Sequence, residues 1–277
     1  MEKLTRIKPI LGTYVSISIA AETTREKLIE VTEAGYKEIY RIHELMSFHE
    51  PTSEITKLNL TASKRPIQIS GDTQQVINLA LELSKTTNGI FDISCGTVMV
   101  KQKRLPDHGF TINEKSNWND IQLESNKIFF TRPLVIDVSG LAKGFAVDKA
   151  YNRIKLLLSE YGDKIQICIN AGGDLKQTPW QNHKVKIRGT GKSSVNDHCI
   201  EMRDSSMATS SGEHGSLIIK DGKNICKKSK SVTVFAPSCM VADALTKVFY
   251  ANTRAHPRNQ NYTSCVIIEN GKMNWLE

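Results

Sequence analysis

The stretch VIDVSGLAKGFAVDKA, residues 135–150, is the most informative part of the chain for its fold. It begins with an apolar run and continues through two glycines into a sequence with helical character. We therefore expect a buried strand over residues 134–138, a turn at Gly140 and a helix from about Lys143 to residue 161.

The same stretch has the properties of an anion site. Gly140 and Gly144 allow close approach of the backbone to a ligand. A helix N-terminus offers free amide hydrogens and a favourable dipole to a phosphate, and Lys143 adds a positive charge. The stretch predicts either a phosphate cradle with the Asp137 carboxylate at its lip, or a plain turn that the glycines permit. It matches neither the P-loop nor the dinucleotide-binding glycine motif.

The rest of the chain mixes helices and strands without regular alternation, which favours an α+β fold over a doubly wound parallel sheet. Hydrophobic periodicity predicts helices at about 24–47, from 53, 71–88 and 241–250. Thr23 or Thr24 could cap the first of them, Asn88-Gly89 is typical of the end of the third, and Asn270-Gly271 predicts the turn of a final hairpin. Alternation of apolar and polar residues predicts strands at 14–19, 121–123, 127–130, 165–170, 184–188, 199–202, 207–209, 216–219, 231–235, 264–269 and 272–276.

Composition is that of an ordinary globular protein, with 39% hydrophobic and 24% charged residues in a chain of 277. The net charge of +8 is spread along the chain. We interpret it as a solvated basic face; nucleic-acid binding is an alternative without a supporting motif. No signal peptide and no membrane-spanning run is apparent, so we expect a cytoplasmic protein.

The six cysteines form no Cys-x-x-Cys pair, which gives a zinc or thioredoxin-like site no support. The chain is long enough to fold without disulfides. We therefore expect buried free thiols.

Four further motifs could carry chemistry, and each has an ordinary structural alternative. GIFDISCG (89–96) could contact a ring or end a helix; NAGGDL (170–175) could pass close to a ligand or form a β-turn. ATSSGEHG (208–215) could contact phosphate or form a loop. In ADALTK (242–247), Asp243 and Thr246 share a helical face and have the oxygen atoms that suit Mg²⁺, although an acid there could simply compensate the helix dipole.

The order of these motifs is more specific than any one of them. Together they resemble the ApbE-type FAD:protein FMN transferases, over about residues 11–250. The resemblance rests on Gly12-Thr13, MSFHEPTSEITKLN (46–59), GIFDISCG (89–96), VIDVSGLAKGFAVD (135–148), INAGGDL (169–175), TSSG (209–212) and SVTVFAPSCMVADAL (231–245).

The resemblance implies one FAD-binding domain over residues 1–277, with two intertwined lobes left open, and mostly antiparallel sheets flanked by long helices with FAD in a cleft. It implies cleavage of the FAD pyrophosphate with Mg²⁺ and transfer of FMN to a Thr or Ser hydroxyl of a partner flavoprotein, with AMP as leaving group. By position, the catalytic residues would be Asp137, Lys143 and Asp243; the FAD contacts His49, Ile90, Phe91, Asp92, Asp137 and Lys143; and the metal ligands Gly140, Asp243 and Thr246.

Two departures from the family pattern concern the chemistry more than FAD binding. Lys247 replaces a threonine that the family usually uses as a metal ligand. A His-x-x-Asp-Pro-x-Thr-Gly segment is also missing between Gly212 and Val232. The Lys247 ammonium could occupy the place of the cation, or it could extend to solvent and leave a weaker metal site. The alternative function is therefore a catalytically impaired FAD-binding protein or an FAD pyrophosphate hydrolase of the same fold.

Overall fold

The structure is a computed structural model that describes residues 1–188, 190, 197–212, 218–220, 223–255 and 261–276. Its α-helices are α1 (Arg25–Met46), α2 (Glu54–Thr61), α3 (Gly71–Thr86), α4 (Gly96–Lys101), α5 (Ser139–Leu157) and α6 (Cys239–Ala251). Its strands are β1 (Glu2–Ile10), β2 (Thr13–Ala21), β3 (Ile67–Gln68), β4 (Ile121–Glu124), β5 (Lys127–Phe130), β6 (Gln166–Ala171), β7 (Asp174–Thr178), β8 (Lys184–Ile187), β9 (His198–Glu201), β10 (Ser206–Ser211), β11 (Ile219–Lys220), β12 (Lys223–Asn224), β13 (Lys230–Ala236), β14 (Ser264–Glu269) and β15 (Lys272–Leu276). Short 3-10 helices occupy Ile93–Cys95, Trp118–Asp120 and Ser159–Lys164.

A central eight-stranded sheet has the order β1-β2-β6-β7-β10-β13-β14-β15. Every strand pair within the described residues is antiparallel. The α+β prediction is confirmed. Strands β1 and β7 were not predicted. Strand β1 lacks a continuous apolar face, and four of the five residues of β7, DLKQT, are polar or charged.

Both faces of the sheet are covered, and the alternation along β10 and β13 shows how. Ala208 and Val234 face the large core beneath α1, α5 and α6. Met207 and Phe235 face a second apolar cluster that also contains Val185 of the β8–β9 hairpin. Because successive side chains of a strand point to opposite faces of the sheet, the same strands contribute to an apolar core on each face.

Several local predictions are confirmed by the cap and turn geometry. The Thr24 side chain caps α1 by accepting from the Lys27 amide. The short helix expected from about residue 53 is α2, and the Ser53 side chain caps it. Asn88 and Gly89 follow α3 with φ of 51° and 75°, in the left-handed region expected at a helix C-terminus. The final hairpin has the predicted strands, β14 and β15.

The predicted strand at residues 134–138 is wrong. These residues are buried, but they pair with no strand in the part of the chain that the structure describes. Side chains and loops satisfy their backbone instead. Asn59 makes two hydrogen bonds of 2.9 Å to the Ile136 amide and carbonyl, and the Thr97 hydroxyl accepts from the Val135 amide at 2.9 Å. An apolar run indicates that a segment is buried. Here the buried backbone groups are hydrogen-bonded to side chains and loops, so the segment needs no neighbouring strand.

The helix predicted from Lys143 begins four residues earlier, at Ser139, so Gly140 lies in its first turn. Of the cysteines, all six are free, but Cys239 and Cys265 alone are buried and Cys199 is exposed. The predicted strand at 216–219 and the end of the 208–215 motif lie partly outside the described residues. None of the described helices is both long and apolar enough to span a membrane.

Candidate active site

A cavity of about 1180 Å³ opens where the β1–β2 turn, the end of α1, the β6–β7 turn and the start of α5 meet. Seven of the sequence-predicted residues line it: His49, Ile90, Phe91, Asp92, Asp137, Gly140 and Lys143. These positions are far apart in sequence, and the fold brings them together on the wall of one cavity.

The start of α5 forms the part of this wall with the Asp137 carboxylate. That carboxylate accepts hydrogen bonds from the Ser139 amide at 3.0 Å and the Ser139 hydroxyl at 2.7 Å. The Asp137 amide donates to the Ile93 carbonyl at 2.8 Å, which holds the backbone in place. Burial raises the pKa of Asp137, although the Ser139 hydrogen bonds oppose that rise. Asp137 is therefore a fixed carboxylate with increased affinity for a proton.

The 90–92 segment reaches the cavity for a local reason. The Thr87 hydroxyl accepts from the Phe91 amide at 3.1 Å, and the Asp92 carboxylate accepts from the Ser94 amide at 2.7 Å, where it caps the 3-10 helix Ile93–Cys95. Burial raises the pKa of Asp92. Asp92 thus has a structural role besides its place on the cavity wall. His49 is exposed at the cavity mouth.

Four charged side chains meet at the floor of the cavity, and we call them the charge quartet: Lys143, Asp174, Asp243 and Lys247. Three of them line the floor, and Asp243 lies beneath it. Lys143 Nζ lies 2.6 Å from Asp174 Oδ2 and 3.4 Å from Asp243 Oδ2. Lys247 Nζ donates to the other Asp243 oxygen, Oδ1, and to the Asp243 carbonyl at 2.9 Å. Two ammonium groups balance two carboxylates.

Burial and charge act differently on the two acids. Burial alone would raise the pKa of Asp243, but Lys143, Lys247 and the Gly144 amide outweigh it and lower that pKa below its ordinary value. Burial, and then repulsion by Asp243, raise the pKa of Asp174. Burial opposes the charge of Lys143, yet the two carboxylates raise its pKa overall. The quartet therefore keeps Lys143 protonated and fixed in position at the cavity wall.

The approach of α5 to α6 places Asp243 within the quartet. A Cβ on Gly144 would come within 2.4 Å of the Cys239 carbonyl oxygen, so only glycine fits without movement. The Gly144 amide donates to Asp243 Oδ2 at 3.3 Å. The glycine predicted to approach a ligand instead approaches a neighbouring helix.

The β6–β7 turn carries Asp174 to the floor. Gly172 and Gly173 have φ of 64° and 110°, and the Asn170 side chain accepts from the Gly173 amide at 2.9 Å. A Cβ on Gly172 would lie 2.5 Å from the Thr13 hydroxyl oxygen, so this turn packs against the β1–β2 turn. The paired glycines of NAGGDL thus act together: they allow the hairpin and the close packing that fix Asp174.

Two of the residues predicted to bind metal do not line the cavity. Asp243 lies below its surface, with 1% of its side chain exposed. Thr246 is fully buried, where its hydroxyl donates to the Asp243 carbonyl at 2.6 Å and lies 2.7 Å from the Ser210 hydroxyl oxygen. Gly140 lines the cavity, with the stem of Lys247 beside it. The described residues contain no group of three or more His, Cys, Asp or Glu side chains arranged to hold a metal ion.

The sequence prediction missed Asp174 as a site residue. The signal in the sequence was the position of Asp174 directly after the paired glycines of the NAGGDL motif. Its ion pair with Lys143, 31 positions away, could not be read from spacing.

The model of the ApbE family matches residues 11–258. The chain belongs to the ApbE family.

Curated relatives and solved structures agree with that membership. The FAD:protein FMN transferase of Haemophilus influenzae is 28% identical over 80% of this chain and 72% of its own length. The Vibrio cholerae enzyme of the same name is 26% identical over 86% of this chain and 75% of its own.

Two solved structures share the fold. The ApbE protein of Thermotoga maritima has a TM-score of 0.79 at 18% identity and covers 100% of this chain and 97% of its own. The flavin transferase ApbE of Vibrio cholerae has a TM-score of 0.76 at 20% identity, covering 99% and 96%. The predicted mixed fold with antiparallel sheets and flanking helices is confirmed as that of ApbE proteins.

Proposed function

We propose that this ApbE family member is an FAD:protein FMN transferase that moves FMN from FAD to a Thr or Ser hydroxyl of an acceptor protein. The name of its curated relatives supports the reaction. The observation that carries it to this chain is the charge quartet on the floor of a cavity of about 1180 Å³, large enough for a dinucleotide.

The positive charges on that floor suit the FAD diphosphate. Lys143 and Lys247 both line the cavity, and each keeps its ammonium in place through a buried carboxylate. The α5 N-terminus adds its dipole on the same side. Fixed charges of this kind stabilise the negative charge that develops on a transferring phosphoryl group, and they need no reorganisation during the reaction.

The transfer needs one bond formed and one broken. The acceptor hydroxyl oxygen attacks the phosphorus on the FMN side of the diphosphate, the bond from that phosphorus to the bridging oxygen breaks, and AMP leaves with that oxygen. We assign Asp137 as the group that receives the hydroxyl proton. Burial raises the pKa of Asp137, which increases its affinity for that proton.

Mg²⁺ is the cofactor that the family resemblance implies, and the residues present do not fit it. Asp243 is the carboxylate predicted to bind it, but both of its side-chain oxygens already accept from lysine ammonium groups. The Thr246 hydroxyl faces Ser210 and the Asp243 carbonyl in the buried core. The proposed transfer therefore proceeds through residues of this chain, without a step on Mg²⁺.

A gel assay tests the proposed transfer. The protein is incubated with FAD and candidate acceptor flavoproteins, and transfer appears as a fluorescent flavin band that persists on the acceptor under denaturing conditions. Lys143→Met should abolish the band. Lys149→Met is the matched control, because Lys149 lies on the same helix, is also 33% exposed and is paired with Asp72 outside the cavity.

Other results would point to the alternative functions. Release of FMN and AMP without a labelled acceptor would indicate an FAD pyrophosphate hydrolase. FAD binding without cleavage would indicate a binding protein, and failure to bind FAD at micromolar concentration would overturn the proposal. Binding of nucleic acid with a steep salt dependence would favour the basic-protein alternative.

A further inference from the structure

Lys247 lies in the space between two of the predicted metal ligands. A Cβ on Gly140 would be 3.6 Å from Lys247 Cε, so the lysine stem packs against the first turn of α5. Its ammonium then contacts Asp243 on α6. The side chain therefore spans the gap that a cation bound to Gly140 and Asp243 would have to occupy.

The hydrogen bonds of Lys247 fix it there. Its ammonium has three N–H donors. Among the described residues, Asp243 takes two of them, through Oδ1 and through its carbonyl at 2.9 Å. The third remains for a group in the cavity, which Lys247 lines. Its side chain is 19% exposed, so it does not extend into solvent as a surface lysine would.

An i,i+4 Asp–Lys pair is common on helix surfaces, but this one is not a surface pair. Asp243 has 1% of its side chain exposed and faces α5, where Lys143 and the Gly144 amide hold its second oxygen. A divalent cation would have to displace an ammonium from a buried carboxylate, and it would then find few oxygen ligands. Mg²⁺ prefers six oxygens in a nearly octahedral arrangement.

We propose that the Lys247 ammonium takes the place of a divalent cation in this chain, so that the FAD diphosphate binds on Lys143 and Lys247 without Mg²⁺. This inference rests on the proposed function, since FAD is the ligand. Lys247 is then a binding residue of the FAD site. A lysine delivers one positive charge where Mg²⁺ would deliver two, and Lys143 is the other cation beside the diphosphate.

Measurement of FAD affinity with and without a metal tests the inference. The dissociation constant of FAD is determined by titration in EDTA and in Mg²⁺ for the wild type, Lys247→Thr and Lys247→Met. The wild type should bind FAD equally well in both buffers. Lys247→Thr frees one Asp243 oxygen and adds a hydroxyl, so its FAD affinity should fall about tenfold in EDTA and recover in Mg²⁺. Lys247→Met should lose affinity and recover less, because it offers no oxygen.

A second readout needs no FAD. Mn²⁺ binding, followed by electron paramagnetic resonance, should be absent at this site in the wild type and present in Lys247→Thr. Mg²⁺ should raise the melting temperature of Lys247→Thr and leave that of the wild type unchanged. Lys149→Thr is the matched control and should behave like the wild type in every assay.

The outcomes separate this inference from the proposed function. FAD binding by the wild type that strengthens tenfold or more in Mg²⁺ overturns the inference and leaves the transferase proposal standing. Failure of FAD to bind in either buffer overturns both. The wild-type comparison decides the inference even if a Lys247 variant does not fold.

Discussion

Gly144→Ala should destabilise the protein by separating α5 from α6. The new Cβ would meet the Cys239 carbonyl oxygen at 2.4 Å and the Met240 Cα at 2.8 Å, and such contacts must open to at least 3.0 Å. Overpacking of this kind costs about 1–3 kcal/mol, and the upper end applies because the neighbour is backbone. Alanine returns about 1 kcal/mol through helix propensity. The net loss of unfolding free energy should be about 2 kcal/mol.

Gly140→Ala is the control in the same helix. Its Cβ would meet its nearest neighbour, Lys247 Cε, at 3.6 Å, an ordinary contact. This variant should match the wild type or gain up to about 1 kcal/mol. Urea unfolding followed by circular dichroism measures both variants, and FAD affinity should fall in Gly144→Ala as the Gly144 amide moves away from Asp243. A Gly144→Ala protein as stable as Gly140→Ala would refute the close approach of the two helices.

Three further predictions concern charge and thiol chemistry. Lys143→Met leaves two buried carboxylates with one ammonium. Because Lys143 is 33% exposed, we expect the free energy of unfolding to fall by about 2 kcal/mol, less than the full cost of breaking a buried pair. Urea unfolding measures this loss, and an unchanged midpoint would contradict it. Burial alone would raise the pKa of Asp120, but Arg132, at 2.8 Å, together with hydrogen bonds from the Asn117 amide and the Thr131 hydroxyl, outweighs burial and lowers that pKa. The stability that Asp120 contributes is therefore present above about pH 4 and lost as pH falls through its folded pKa, and Asp120→Asn should flatten the acid side of the pH–stability curve; an equally steep curve would count against the pair. Cys199 is exposed, while burial raises the pKa of Cys265 to about 12. A thiol reagent should therefore label Cys199 first. Rapid labelling that persists in Cys199→Ser would show that another thiol is the most reactive.

Local physics made much of the fold predictable. The Thr24 and Ser53 caps, the Asn88-Gly89 helix end and the Asn270-Gly271 hairpin follow from residue types that favour one local geometry. Residues 134–138 show the limit of that reasoning. Their apolar character indicated burial correctly, but the partner of each backbone group was a distant side chain such as Asn59, which local sequence cannot identify.

Site residues that belong to a sequence motif on the cavity wall were predictable. Residues whose place in the site depends on an ion pair with a distant part of the chain were less so. His49, Phe91 and Asp137 line the cavity as residues in glycine-rich or turn-forming motifs. Asp174 escaped prediction because its role comes from an ion pair across the sheet–helix interface. The orientation of Lys247 was left open by the sequence, and the packing of its stem against α5 decides it.

A crystal structure of the FAD complex grown in Mn²⁺ tests the central claim most directly. The account predicts the FAD diphosphate within hydrogen-bond distance of Lys143 Nζ and Lys247 Nζ, with no anomalous Mn²⁺ peak beside Asp243. A Mn²⁺ ion bound to Asp243 with Lys247 turned away, or a flavin nucleotide outside this cavity, would contradict it.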